Sequence, residues 1–272
     1  MLSVGISIHK NNNPENLFLA LRSISDEQTL KPTFILLVID GEIPNELNDI
    51  ISKFKKISSC DIKIFVNKVN KGLTHSLNRM LENCETKYFA RMDSDDISMP
   101  NRFVTQINFL ENNPNVDIVG SFAEDIDENG RYLIDRNVPK KNNDILKLLP
   151  ILNPMIHPSV IFRTDSIIKI GGYNEKYRTS QDYALWFKAF SNGLVFENIG
   201  KKLIKYRVNN LYSNRKNFKY RINDIKIKLF GFKLLSYPFY KYIWLIIPLI
   251  VWLVPINFMT FLKKLDPRQK IK

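Results

Sequence analysis

The densest chemistry in this 272-residue chain lies in Arg91-Met92-Asp93-Ser94-Asp95-Asp96, directly after an apolar run. Three carboxylates crowded together repel one another unless a cation neutralises them. Aspartate oxygens suit a hard divalent ion such as Mg²⁺ or Mn²⁺, which can also bridge phosphates. Asp93 and Asp95 point to the same side if the strand continues that far. The competing reading is an acidic loop that caps the helix starting near Pro100. Two more carboxylates stand at chemically useful places. Asp40, followed by Gly41, closes the apolar run 33–39, although Asp-Gly is also an ordinary turn. Asp182 falls in the first turn of a helical stretch with the apolar face Ala184, Leu185, Phe187 and Ala189, where an acid also complements the helix dipole.

The elements that must position these groups follow from periodicity. Apolar runs at 2–8, 33–39, 61–66, 87–92 and 116–122 read as strands, and 14–25, 44–55, 72–83 and 100–112 show helical spacing. Pro14, Pro44 and Pro100 sit near the helix starts, where a missing N–H costs little. Alternation at this pitch predicts βαβ units in a mostly parallel sheet with helices on both faces. Ligands bind such sheets outside the carboxyl ends of the strands, where Asp40 and the Asp93 cluster emerge. The rhythm breaks after 122. Asn129-Gly130 marks a hairpin turn, 142–149 a short helix, 159–163 a strand, 181–191 a helix, and 194–198 and 202–208 short strands. This half reads as a mixed extension of the same sheet.

Composition narrows the class. Hydrophobic residues at 44% supply a large core, and 25% charged residues exclude wholesale disorder. Two cysteines, Cys60 and Cys84, outside any C-x-x-C pair, exclude a disulfide scaffold or zinc ribbon and fit a reducing compartment. Met1-Leu-Ser-Val-Gly lacks the features of a secretory signal, so the catalytic part is expected in the cytoplasm. The net charge of +13 is uneven: residues 1–200 hold 23 Lys/Arg against 25 Asp/Glu, and residues 201–272 hold 17 against Asp224 and Asp266 alone. Such a tail points to an anionic surface, either phospholipid headgroups or nucleic acid. Inside it, 242–262 form 21 uncharged residues, enough to span a bilayer. Pro248 and Pro255 interrupt that run, and basic flanks on both sides oppose a single span. A kinked interfacial or re-entrant segment, with Trp244 and Trp252 near headgroup level, satisfies both facts; a buried core helix is the alternative.

Seven blocks in order carry a family resemblance. They are Val4-Gly-Ile-Ser-Ile-His9, Val38-Ile-Asp-Gly41, Asn70-Lys-Gly-Leu-Thr-His-Ser-Leu-Asn78, and Ala90-Arg-Met-Asp-Ser-Asp-Asp-Ile-Ser-Met-Pro-Asn-Arg102. His157-Pro-Ser-Val-Ile-Phe-Arg163, Gly171-Gly-Tyr-Asn174 and Gln181-Asp-Tyr-Ala-Leu-Trp186 follow. Together they resemble the family 2 glycosyltransferases, inverting and nucleotide-sugar-dependent, and especially the bacterial enzymes that build surface polysaccharides. The Asp-rich block and Asp-Tyr-x-Leu-Trp are the specific ones.

The resemblance implies an α/β, GT-A (Rossmann-like) domain over 1–208; charge and hydropathy make 209–272 a basic, apolar, membrane-associating helical region. It implies that Asp40 bonds the nucleotide base, commonly uracil, that Asp93 contacts the ribose, and that Asp95 binds a Mn²⁺ or Mg²⁺ ion bridging the diphosphate. Asp96 would stand beside that metal, Lys71 would touch phosphate, and Asp182 matches the catalytic base. His157 and Trp186 read either as acceptor-side groups or as core residues. The chain departs from the family pattern in His9-Lys10 after the first strand, in Gln181 before the base, and in offering no histidine after Tyr206-Arg207. The implied partners are a UDP-linked sugar donor, a lipid-linked oligosaccharide or polysaccharide acceptor, and an anionic membrane surface, with no nucleic acid. The implied location is the cytoplasmic face of the inner or plasma membrane. Two alternatives remain at this stage. A nucleotidyltransferase needs a cationic loop after the first strand, where Lys10-Asn-Asn-Asn supplies one cation. A nucleic-acid-associated protein leaves the uncharged run inside the tail unexplained.

Overall fold

The computed structural model describes residues 1–208 and 218–253. Strict alternation along the first strands decides which side chains enter which of two cores. In β2 (Phe34–Asp40), Ile35 and Leu37 face one core while Leu36 and Val38 face the other, all buried. A strand covered on both faces reads as a continuous apolar run, as this one does. β2 lies between β1 (Leu2–Ile8) and β3 (Asp61–Asn67), and β1 also pairs with β4 (Tyr88–Met92), every pairing parallel. Helices α1 (Pro14–Ser23) and α2 (Asn45–Ile57) bury Leu17, Leu21, Leu47 and Phe54 in the first core. α3 (Leu73–Glu82) buries Leu77 and Met80 in the second, and α4 (Arg102–Asn112) returns to the first through Phe103 and Leu110. Helices therefore cover both faces. At α1 the cap is explicit: Pro14 opens the helix, and Asn13 Oδ1 accepts from Asn16 N at 3.0 Å.

The second half continues the same nine-stranded sheet, in the order β3-β2-β1-β4-β8-β6-β9-β5 with β7 on β6. It adds β5 (Ile97–Ser98), β6 (Ile118–Ile126), β7 (Tyr132–Arg136), β8 (Ile161–Arg163) and β9 (Phe196–Arg207). β8 is antiparallel to β4 and β6, β7 is antiparallel to β6, and β6 and β9 are parallel. The two short strands expected at 194–198 and 202–208 are in fact one. The register runs Ser121↔Ile199, Phe122↔Lys202, Ala123↔Ile204, so Gly200, Lys201 and Leu203 bulge out of an otherwise continuous strand. The sequence reading also missed the two-residue β5 and the short α6 (Thr164–Lys169).

α5 (Asn142–Leu148), α6 and α7 (Gln181–Ser191) pack on the second core. So does α8 (Phe218–Leu234), whose Ile227 and Phe232 are fully buried there. A Cβ on Gly231 would stand 2.2 Å from the Phe187 ring, which shows how closely α8 lies on α7. α8 falls in the region expected as a C-terminal appendage, and its buried residues join the second core. A 3₁₀ segment, Phe239–Ile246, and α9 (Ile247–Leu253) follow. Pro248 falls in the first turn of α9, where proline is tolerated. Trp244 is partly buried against the second core, whereas Phe239, Tyr240 and Ile243 are exposed. Residues 254–262 of the apolar run, the basic residues beyond them and the Trp252 side chain lie outside the described residues. Among the described residues no helix is long and apolar enough to cross a membrane.

Candidate active site

Asp40 ends β2 and turns at Gly41, whose φ of +87° and approach to Asn70 N exclude a side chain. The turn aims the Asp40 carboxylate into the loop before α3. Oδ1 accepts from Asn67 Nδ2 and Lys71 N, and Oδ2 accepts from Gly72 N, each at 2.8 Å. A carboxylate offers about four acceptor positions, so roughly one remains. Lys71 thus meets Asp40 through its backbone. Its exposed side chain lines a cavity with Lys68, His75 and Arg79.

Arg91, buried in β4, forks onto both oxygens of Asp93. Ligand oxygens of Asp93, Asp95 and Asp96 all lie within 4.8 Å of one another. Arg207, at the end of β9, organises the other side of this cluster. Its N donates to Asp96 Oδ1 at 2.7 Å, its Nε to the Asp95 carbonyl at 2.8 Å, and its guanidinium to the carbonyls of Asp127 and Glu128. Asp96 Oδ2 is buried and has no partner among the described residues. Burial, then the charges of Asp93 and Asp95, push the Asp96 carboxyl well above the usual range. An orphaned carboxylate oxygen inside a crowded acidic triplet is a donor set that a hard divalent cation fits.

Asp182 lies in the first turn of α7 and keeps partial exposure. Its Oδ2 accepts from Asn153 Nδ2 at 2.6 Å, and Asn153 Oδ1 accepts from Met155 N at 3.2 Å, which fixes the amide's direction. Burial raises the Asp182 carboxyl above its ordinary pKa, while the Asn153 bond and the Arg91 charge oppose the rise. One buried guanidinium therefore acts on the acidic triplet and on Asp182 together.

Of the two readings open for His157 and Trp186, the core reading fits where they lie. Trp186 is one helical turn beyond Asp182 and is sealed in the second core, edge-on to His157 and Phe196. Its ring borders no solvent-accessible space. His157 is also buried, and its Nε2 bonds Tyr173 Oη at 2.9 Å. Burial and then Arg91 hold its pKa well below the ordinary histidine value, so it is a neutral core histidine. Sequence reasoning missed Arg91, Asn153 and Arg207 as site residues. Arg91 did leave a signal, since it is the lone cation inside an apolar strand; Asn153-Pro154 reads only as a turn.

A mixed α/β sheet with helices on both faces and an acidic cluster directly after its fourth strand defines the GT-A glycosyltransferase class. The model of "Glycosyl transferase family 2" matches residues 3–171, and the chain belongs to that family. It is 32% identical over 268 residues to the amylovoran biosynthesis glycosyltransferase AmsE of Erwinia amylovora, covering 98% of this chain and 99% of that protein. It is 34% identical over 266 residues to the UDP-Gal:alpha-D-GlcNAc-diphosphoundecaprenol beta-1,3-galactosyltransferase of Escherichia coli, covering 96% and 94%. Among solved structures, S. aureus TarS 1-349 in complex with UDP shares the fold at a TM-score of 0.66 and 16% identity, over 100% of this chain and 75% of that one.

Proposed function

We propose that this glycosyltransferase moves a sugar, with inversion, from a UDP-linked donor to a lipid-linked or polysaccharide acceptor during bacterial surface-polysaccharide synthesis. The observation that carries the reading is the division of carboxylates: a crowded triplet after β4, and Asp182 apart from it, oriented by Asn153. Single displacement calls for a base on the acceptor side and positive charge on the leaving side. The E. coli relative, whose name gives a UDP-Gal donor and a diphosphoundecaprenol-linked acceptor, supports the choice of substrates.

In this mechanism the acceptor oxygen bonds the anomeric carbon on one face while the bond to the diphosphate oxygen breaks on the other. Asp182 takes the hydroxyl proton, a contribution of about 10²–10⁴-fold. Asn153 orients that carboxylate, and the Arg91 charge helps keep it ionised. Asp40 meets the base with its remaining acceptor position, Asp93 meets the ribose, and Lys71 lies toward the phosphates. Asp95 and Asp96 would hold Mn²⁺ or Mg²⁺, which supplies Lewis-acid stabilisation of the leaving diphosphate. The basic C-terminal region holds the enzyme at the anionic cytoplasmic membrane surface, beside a lipid-borne acceptor. In the full chain, Asp182→Asn should lower transfer by about 10²–10⁴-fold with UDP affinity retained, and Asp95→Ala should abolish Mn²⁺-dependent UDP binding. Full transfer by Asp182→Asn would sink the base assignment.

A further inference from the structure

Lys228 of α8 is 3% exposed, and its ammonium is spent on two peptide carbonyls: Ile151 at 2.7 Å and Trp244 at 3.1 Å. Burying an ammonium among neutral dipoles is costly, and an apolar side chain of similar length serves a core better. Burial pulls its pKa down to about 8, against the opposing charge of Asp224 one turn earlier. Ile151 lies two residues before Asn153, whose amide orients Asp182. The same helix also grips the chain entering α7. Asn223 Nδ2 donates to the carbonyl and hydroxyl oxygens of Thr179, both at 2.8 Å, and Asp224 Oδ1 accepts from Ser180 Oγ at 2.9 Å. Ser180 has φ +53° and makes no side-chain cap bond to its own helix. A non-glycine residue keeps that conformation only where its surroundings impose it.

We propose that Lys228 is a positioning residue for glycosyl transfer: it pins the Ile151 backbone so that Asn153 holds Asp182 in its proton-accepting orientation. This rests on Asp182 being the base. The charged and titratable groups that act on Asp182 directly are Arg91 from β4 and the phenols of Tyr173 and Tyr183. Lys228 acts through Asn153. The Asn153 bond favours the ionised carboxylate, so loosening it raises the pKa of Asp182 and moves the acid limb of the rate profile to higher pH.

The test uses the full chain and UDP release from whichever of UDP-galactose, UDP-glucose and UDP-GlcNAc the wild type turns over fastest. Lys228→Met, Asn153→Ala, the double variant and Asp182→Asn are compared from pH 5 to 9, with UDP affinity and thermal melting measured alongside. Lys228→Met is expected to lower kcat about tenfold, with UDP affinity within about twofold of wild type, and to shift the acid limb upward as Asn153→Ala does. The double variant should be no slower than Asn153→Ala alone, because the two act in one chain. A kcat within about twofold of wild type, or a uniform loss at every pH, overturns the proposal, as does a fully additive double variant. Should Lys228→Met fail to melt cooperatively, Lys228→Gln, which is shorter and uncharged, is judged by the same criteria. If Asp182→Asn is inactive while Lys228→Met is fully active, the Lys228 role alone falls. If Asp182→Asn is active, the base assignment falls first.

Discussion

At the scale of single residues, the buried guanidinium of Arg91 joins the two halves of the site. It forks onto Asp93, and its charge also stabilises the ionised form of Asp182. As the proposed base, Asp182 must be ionised to accept a proton, and burial raises its pKa. Activity should therefore be present above that raised value and lost as pH falls through it, at a higher pH than an ordinary carboxylate would give. Arg91→Met should move this acid limb higher still, by removing a cation that opposes the rise. It should also destabilise the fold by about 1–3 kcal/mol, because Asp93 loses both of its charged hydrogen bonds. A pH–rate profile and a urea titration at pH 7 read the two effects; an unmoved limb would mean that the guanidinium serves Asp93 alone. The clustering of Asp93, Asp95 and Asp96 and the strand-end position of Asp40 were legible from type and position. Asn153 and Arg207 were not, because their partners lie 29 and more than 100 residues away and no local pattern marks them.

At the scale of elements, the contact of α7 with α8 depends on Gly231. Alanine would favour the helix by about 1 kcal/mol, yet its Cβ would meet the Phe187 ring at 2.2 Å. Overpacking costs about 1–3 kcal/mol, so Gly231→Ala should be net destabilising in a denaturant titration; a more stable variant would show that the two helices separate freely. The parallel half of the sheet was readable because its strands are buried on both faces and its helices carry one apolar stripe. β9 was misread because the bulged Gly200-Lys201, followed by Lys202, looks like a loop. The packing of α8 was not legible for a different reason: its apolar residues are spread around the helix among five lysines and arginines, so no stripe reveals which face packs.

At the scale of the whole molecule, charge and apolar exposure coincide. The 17 Lys/Arg of residues 201–272 share that region with the exposed Phe239, Tyr240 and Ile243. Vesicles of phosphatidylcholine with phosphatidylglycerol should retain the full chain, and retention should fall as salt rises. Replacing both Phe239 and Ile243 by Ser should weaken binding by about tenfold or more, since each side chain contributes about 1.5–3 kcal/mol when fully buried. Equal retention by purely zwitterionic vesicles would contradict an electrostatic role for the tail.

The placement of α8 also has a consequence for how the protein is made. A chain is synthesised from its N-terminus and folds in that order, so the sheet and the acidic triplet emerge well before residue 228. A nascent or truncated chain that stops short of α8 leaves α7 uncovered and the Asn153 loop unpinned. On the proposed site roles, such a product would meet a nucleotide through strands already in place, without Asp182 aligned to use it. On the role proposed for Lys228, turnover waits until translation has delivered α8.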